Sequence, residues 1–257
     1  MTTLAHRLDR TLVIEAPQAT VFRYFNDSAR WAAWWGAGSA IDARPGGRVL
    51  VRYPDGTEAV GEVVEVNPPS RIVFTYGYVK GTPVAPGESR VTIRLEAAAR
   101  GTRLHLVHEF ADAAVRDHHV QGWRYQLSLF ANVVADEVHQ DTGGVVDAWF
   151  AVWAEPDERA RAKSLAAIAS GDVRMHDRFS CVEGTGELTE HIAAAQRFMP
   201  GMRMQRQGEA RHCQGTVLAD WTAVGPDGQP RGRGTNVFTL DAQGRIESVT
   251  GFWGSLP

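Results

Sequence analysis

Cysteine is nearly missing from this chain. The only two in 257 residues, Cys181 and Cys213, stand apart from any C-x-x-C spacing. That excludes a disulfide framework and argues against structural zinc, and both thiols are expected as buried apolar fillers. Long apolar runs are missing too. No window approaches the roughly 18 apolar residues of a membrane span, and the opening MTTLAHRLDRTLVIEAP has no continuous apolar stretch of the signal-peptide kind, so the expected address is the cytoplasm. Nor is there an excess of charge: 27 basic side chains face 30 acidic ones, for a formal net charge of -3. Such a balance gives no footprint for nucleic acid or an anionic membrane. The single basic cluster, Arg231 to Gly234, reads as a hairpin arm after Pro226-Asp-Gly228, because no aromatic is interleaved with it. A phosphate-binding loop, a dinucleotide glycine fingerprint, a nucleophile elbow and a metal-ligand constellation are all absent. His118 and His119 are neighbours on a helix and point about 100° apart, so they do not chelate together. No cofactor and no metal are expected.

Hydrophobic residues are plentiful at 44%, with eight tryptophans, enough for one large core or two small ones. Between His119 and Gln140, apolar side chains fall at Val120, Trp123, Leu127, Phe130, Val134 and Val138. These steps of three and four line one side of a helix, with Tyr125, Leu129 and Val133 widening the stripe. A helix of about 25 residues from the Asp112 region is roughly 37 Å long and can lie across a whole sheet. Asp141-Thr-Gly-Gly144 reads as its glycine stop. After that stop the strand and helix pattern starts over, so two domains are expected, residues 1–141 and 143–257.

The first half opens with a β-branched run, Thr11 to Glu15, and a helix entered at Pro17. Ser28 to Trp35 carries three tryptophans in five positions, each able to bury on the order of 200 Å². Strands and turns follow, with Ile72, Phe74, Tyr76 and Tyr78 on one face. In TRLHLVHEF, Leu104, Leu106, His108 and Phe110 share a face, which aims His108 inward. Short strands in meander order closed by one long helix suggest an antiparallel sheet wrapped around that helix.

The wording of these pieces is recognisable. APQATVFRYF, the Trp31 to Trp35 cluster, ARPGGRV, GEVVEVNPPSRIVFTY, SRVTIRLE, GTRLHLVHEF and the H-x-x-x-G-W ending at Trp123 resemble the heat-shock protein 90 ATPase activator homologue family. That family sits within the helix-grip group of START-like and birch-pollen-allergen-like domains, and the resemblance spans about residues 8 to 140. It implies a cavity between sheet and helix for apolar or polyketide-like ligands. Such a cavity would be lined by Trp35, Phe74, Tyr76, His108, Trp123 and Leu127, with the imidazole and the tyrosine hydroxyl as orienting groups. The alternative is that these side chains fill a core, His108 being a hydrogen-bonded core histidine.

The second half reads as helices at Val145 to Trp153 and Pro156 to Ser170, a strand VRMHDRF, a glycine loop Glu183 to Gly186, and a helix Leu188 to Phe198. Strand-like runs Met202 to Glu209, Arg211 to Val224, Gly234 to Leu240 and Arg245 to Trp253 finish the chain. Helices followed by a four-stranded meander make a curved sheet folded over helices, a cone with one open mouth. Trp153, Asp157 and Arg161 at W-x-x-x-D-x-x-x-R spacing, His176-Asp177, Met199-Pro-Gly201, the Trp221 strand and DAQGRIESVTGFWGSLP resemble nuclear-transport-factor-two-like, SnoaL-like domains over 143–257. That resemblance implies polyketide cyclase, steroid isomerase or epoxide hydrolase chemistry, or a pocket without catalysis.

Alternation puts Asp177 beside Val173 and Met175 on an apolar face, where a desolvated carboxylate suits a general base. Asp220 and His176 are the other acid and base candidates, and Trp221, Asn236, Phe238 and Trp253 the candidate lining. Asn236 stands where the family pattern commonly has an aspartate. The expected fold class is thus α+β in two domains, a helix-grip domain and a cone-shaped α+β barrel. The expected function is binding of a small apolar or aromatic molecule by a soluble protein with two pockets, as carrier, sensor or sequestration protein. The alternative is a cofactor-independent isomerase, cyclase or hydrolase in the C-terminal cone. Regulation of a chaperone ATPase rests on the family name alone, and a homodimer through the C-terminal sheet is a further expectation.

Overall fold

The computed structural model describes residues 3–254; the last three residues of the C-terminal motif lie outside them. Contacts divide the chain into two compact units, Met1–Ala135 and Asp136–Pro257.

In the first unit, β1 (His6–Ile14) leads into α1 (Gln18–Arg23) and α2 (Ser28–Trp35). Pro17 sits at the N-cap of α1, and the Asp27 carboxylate caps α2 by accepting from the Arg30 backbone N–H. Then come β2 (Ala40–Ile41), β3 (Arg48–Arg52), β4 (Glu58–Asn67), β5 (Arg71–Tyr78), β6 (Ser89–Ala98) and β7 (Gly101–Phe110), closed by α3 (Ala113–Val138). The seven strands form one sheet in the order β1-β7-β6-β5-β4-β3-β2, antiparallel throughout. His108 on β7 meets Trp123 on α3, so the sheet face carrying Leu104, Leu106, His108 and Phe110 is the one turned to the long helix.

The stripe on α3 is narrower than the sequence suggests. His119, Trp123, Gln126, Leu127, Phe130, Ala131, Val134 and Ala135 are buried, whereas Tyr125 is 64% exposed. Two polar side chains lie on the covered face, and each has a backbone carbonyl to bond: His119 to Val115, Gln126 to Trp34.

In the second unit Asp141 begins a helix where a stop was expected. Its carboxylate accepts from the Gly144 N–H at 3.0 Å and caps α4 (Thr142–Ala154). There follow α5 (Glu158–Ile168), β8 (Ala169–His176), β9 (Cys181–Glu183), α6 (Gly184–Phe198), β10 (Arg203–Cys213), β11 (Thr216–Val224), β12 (Pro230–Leu240) and β13 (Ile246–Gly254). The sheet order is β10-β11-β12-β13-β8-β9, with β8 parallel to β13. Glycines 184 and 186, read as a loop, lie in the first turn of α6.

The turn between β10 and β11 is at Gln214-Gly215, both at positive φ, and not near Ala210 as the sequence suggests. What looks like a break near Ala210 is a bulge, where register shifts between Gln207 and Arg211 around Gly208 at φ 68°. Both cysteines are exposed, contrary to expectation. Each lies on an edge strand of this sheet, Cys181 on β9 and Cys213 on β10. The core of the unit joins Trp149, Phe150 and Leu165 to Val217, Phe238 and Val249. Among the described residues no helix is long and apolar enough to cross a membrane, and no group of acid, histidine and cysteine side chains is placed to hold a metal.

Candidate functional site

Within the first unit the interior has two regions of different character. Towards α1 and α2 it is packed solid. Trp31 lies 5.2 Å from Trp34 and 5.8 Å from Phe74, and Phe130 stacks on Phe25 at 5.1 Å and meets Trp34 at 4.9 Å. Phe74, a candidate lining residue, belongs to this fully buried core.

Beyond Trp35 the side chains become polar aromatics in a closed circuit. Trp35 contacts Tyr53 at 6.0 Å, Tyr53 contacts Tyr78 at 6.3 Å, and Tyr78 contacts His119 at 5.9 Å. His119 contacts His108 at 5.3 Å, His108 contacts Trp123 at 5.8 Å, and Trp123 returns to Trp35 at 5.5 Å. Tyr76 packs against three consecutive members, His108, His119 and Tyr78. Tyr53 and Tyr78 are half-buried, the other members buried.

Hydrogen bonds fix the chemistry of most of these groups. An indole nitrogen only donates, so Trp123 Nε1 gives its hydrogen to His108 Nδ1 at 2.9 Å, which leaves the His108 proton on Nε2. That proton points to Ser89 Oγ at 2.9 Å, and the Ser89 hydroxyl donates to the Tyr76 carbonyl at 2.7 Å. His108 is therefore a saturated, neutral imidazole. Burial, and then the neighbouring His119, hold its pKa well below the ordinary histidine value. The Tyr53 and Tyr76 hydroxyls pair at 2.7 Å, and burial raises the pKa of both.

Two buried atoms of the circuit stay unpaired. His119 Nδ1 lies 2.7 Å from the Val115 carbonyl, which only accepts, so the proton is on Nδ1 and Nε2 is a bare acceptor. Nε2 has no partner, and neither has the donor Trp35 Nε1. Burial lowers the His119 pKa as well. Tyr53, Tyr78, Ser89 and His119 were not among the expected site residues. The signal for His119 was its place four residues before Trp123, on the same side of α3; Tyr53 gave none, since only the pairing of β3 and β5 on either side of β4 brings the end of β3 near.

The second unit gathers some of its candidates and scatters others. Trp221 Nε1 donates to Asn236 Oδ1 at 2.9 Å, and the Asn236 amide Nδ2 makes no hydrogen bond among the described residues. Trp253 covers Trp221 at 4.9 Å and donates to Asp177 Oδ2 at 3.1 Å. Opposite Asn236 in the ladder is Gly251. A Cβ there would stand 3.0 Å from Asp177 Cβ and 3.3 Å from Asn236 Oδ1, so the missing side chain is what lets the carboxylate and the amide close over this strand.

Asp177 is half-buried and lies past the end of β8, in the turn to β9, not on the apolar strand face that alternation suggests. Its Oδ1 accepts from the Phe179 N–H at 2.7 Å, and its own N–H donates to Ser180, which is what ends the strand. Asp220 and His176 are exposed and, although next in sequence to Trp221 and Asp177, make no side-chain contact with this cluster. Asp220 accepts from Thr235 Oγ1 and lies 3.6 Å from Arg211 on the outer sheet face. Phe238 is a core residue, edge-on to Trp149 and Phe150.

Residues 15–135 match the family described as Activator of Hsp90 ATPase homolog 1-like protein, inside the 8 to 140 stretch whose wording resembles it. Among curated proteins no relative matches the chain. Solved structures similar to parts of it include a putative isomerase of the SnoaL-like family from Agrobacterium tumefaciens, 26% identical, covering 46% of this chain and 99% of that one at a TM-score of 0.43. Another is the AHSA1 protein from Silicibacter pomeroyi, 24% identical, covering 49% of this chain and 95% of its own at a TM-score of 0.41. A protein from Mesorhizobium loti, 18% identical, covers 51% and 98% at a TM-score of 0.46.

Proposed function

We propose that this chain binds small apolar or aromatic molecules, and that the six-ring circuit of the first unit holds one of them. The observation that carries the reading is the pair of buried, unpaired atoms Trp35 Nε1 and His119 Nε2, three steps apart around the circuit by either route. More than about nine in ten buried polar groups find partners, and one left without costs about 1–3 kcal/mol. A flat ligand with an acceptor at one end and a hydroxyl at the other satisfies both and recovers that cost. Tyr53 and Tyr78, half-buried, are the rings that must turn aside to admit it.

A thermal-shift screen of aromatic alcohols and ketones, repeated on Trp35→Phe and His119→Phe, tests this, because a ligand of the folded state raises its melting temperature. The expected result is a shift in the parent that shrinks in both variants. A hit whose shift is the same in all three proteins removes the site.

The approach of Asp177 and Asn236 to each other over Gly251 supports a second reading for the C-terminal unit, a cofactor-independent isomerase, cyclase or hydrolase. Asp177 is the base in that reading, Asn236 Nδ2 the donor to a developing oxyanion, and Trp221 and Trp253 the aromatic walls. Consumption of a hit, lost in Asp177→Asn, separates it from binding alone. A homodimer through the C-terminal sheet would use the face on which Phe252 is 57% exposed. We keep the cytoplasm as the place of action.

A further inference from the structure

The sheet of the first unit has a second face, turned away from α3, and a cavity of about 670 Å³ opens on it. Strand register arranges its lining in rows. Val73, Thr92 and Val107 lie side by side across β5, β6 and β7 and form the floor. On one side of the floor the charges neutralise each other, Arg90 pairing with Glu109 at 2.9 Å and Arg7 with Asp9. On the other side only Arg71 has a close carboxylate, Glu65 at 2.9 Å. Arg71, Arg94 and His105 stand directly opposite one another on the same three strands. Like charges facing across a ladder weaken a sheet, so two adjacent arginines call for an explanation outside the fold.

The Arg94 guanidinium makes no hydrogen bond or ion pair among the described residues. Glu65 takes Nε of Arg71 at 2.9 Å and leaves its two terminal nitrogens. His105 Nδ1 is engaged by the Thr11 hydroxyl at 2.9 Å, and its Nε2 lies 3.7 Å from Glu96, beyond hydrogen-bond range.

We propose that this row is a phosphate site, and that the groove binds a soluble phosphate monoester with its organic part over Val73, Thr92 and Val107. Two guanidinium groups and an imidazole N–H offer donors from three neighbouring strands to one group. A carboxylate has two oxygens and is matched by one guanidinium fork; a phosphate monoester has three terminal oxygens and a double charge, which two forks and a third donor match. The floor supplies the apolar contact that inorganic phosphate cannot use.

Calorimetric titration of the full chain with inorganic phosphate and with phenyl phosphate tests the assignment, alongside Arg94→Gln and the control Arg103→Gln, an exposed arginine of β7 outside the cavity lining. Both ligands are expected to bind the parent and the control, phenyl phosphate the more tightly. Affinity should fall at least about tenfold in Arg94→Gln and in the parent as salt is raised. Absence of binding by either ligand, or equal binding by Arg94→Gln, overturns the site, and equal affinity for the two ligands overturns the role of the floor. Cosedimentation with phosphatidic acid vesicles by a protein that ignores both soluble ligands would assign the phosphate to a membrane surface and overturn the soluble ester.

Discussion

Trp123 on α3 hands its indole hydrogen to Nδ1 of His108 on β7, 2.9 Å away, and by doing so decides which nitrogen of the imidazole carries the proton. The contact also ties the long helix to the sheet through a chain that runs on to Ser89 and the Tyr76 carbonyl.

Replacing Trp123 by phenylalanine keeps a ring in place and strips the imidazole of its donor. An unsatisfied buried acceptor costs about 1–3 kcal/mol, against about 3–5 kcal/mol for truncating a packed aromatic to alanine. Urea unfolding of Trp123→Phe and Trp123→Ala should therefore rank parent, phenylalanine, alanine. A phenylalanine variant as stable as the parent would mean that the His108 hydrogen bond contributes nothing net.

Acid should weaken the first unit. His108 and His119 both have folded pKa values depressed by burial, so the unfolded chain takes up protons, near its ordinary value of about 6.5, that the folded chain refuses. The stability tied to the neutral rings is complete above about pH 6.5 and declines as pH falls below it. Burial raises Tyr53 and Tyr76, so on the alkaline side stability holds below about pH 10 and is lost as pH rises further. Urea midpoints followed across pH, with the His108 ring resonances recorded in parallel, check this; a midpoint that climbs towards acid contradicts it.

A methyl group at Gly251 should push Asp177 and Asn236 apart. Gly251→Ala places carbon 3.0 Å from Asp177 Cβ and 3.3 Å from Asn236 Oδ1, an overpacking that costs about 1–3 kcal/mol. If Asp177 and Asn236 together hold a ligand, the variant stays folded and loses binding by the C-terminal unit while binding by the six-ring circuit persists. Asp177→Asn keeps an oxygen for the Phe179 N–H but turns an amide nitrogen, which cannot accept, toward the Trp253 donor, so it should lose about 0.5–1.5 kcal/mol with that hydrogen bond and, in the enzyme reading, all turnover. Strong destabilisation of Asp177→Asn would assign the carboxylate to structure.

Separate expression of the two halves should distinguish two boundaries. We propose that each folds alone, and the second unit is expected to do so better when it starts at Asp136 than at Gly143. His139 lies 3.2 Å from His212 and 3.0 Å from the Asp241 carbonyl, and Asp136 lies 3.1 Å from His212. At about 0.5–1.5 kcal/mol net for each hydrogen bond, the longer fragment should have the higher midpoint. Equal midpoints would make these contacts idle.

Periodicity made the long helix legible, its apolar steps marking α3 within a few residues, and alternation aimed His108 at the interior correctly. What stayed hidden was set by partners distant in the chain. Tyr125 looked like part of a stripe, while two polar side chains, Gln126 and His119, are buried, each bonded to a single carbonyl that no spacing reveals. Asp141 was eclipsed by the glycines after it, although a capping carboxylate and a glycine at its third position are as good a start signal as a stop. Asp177 was placed by counting alternate residues along a strand that its own carboxylate brings to an end.

The closed circuit of rings also equips the molecule with an optical signature. Trp34 and Trp35, with ring centres 4.5 Å apart, are close enough for their excited states to mix, and Trp123 adjoins them at 5.5 Å. Coupled indoles held at fixed angles give a structured near-ultraviolet circular dichroism band, and excitation absorbed anywhere in the group drains to the member of lowest energy. Any molecule that seats itself against Trp35 perturbs that exciton directly, so occupancy of the first unit can be followed without a label, by the absorption of the protein's own side chains.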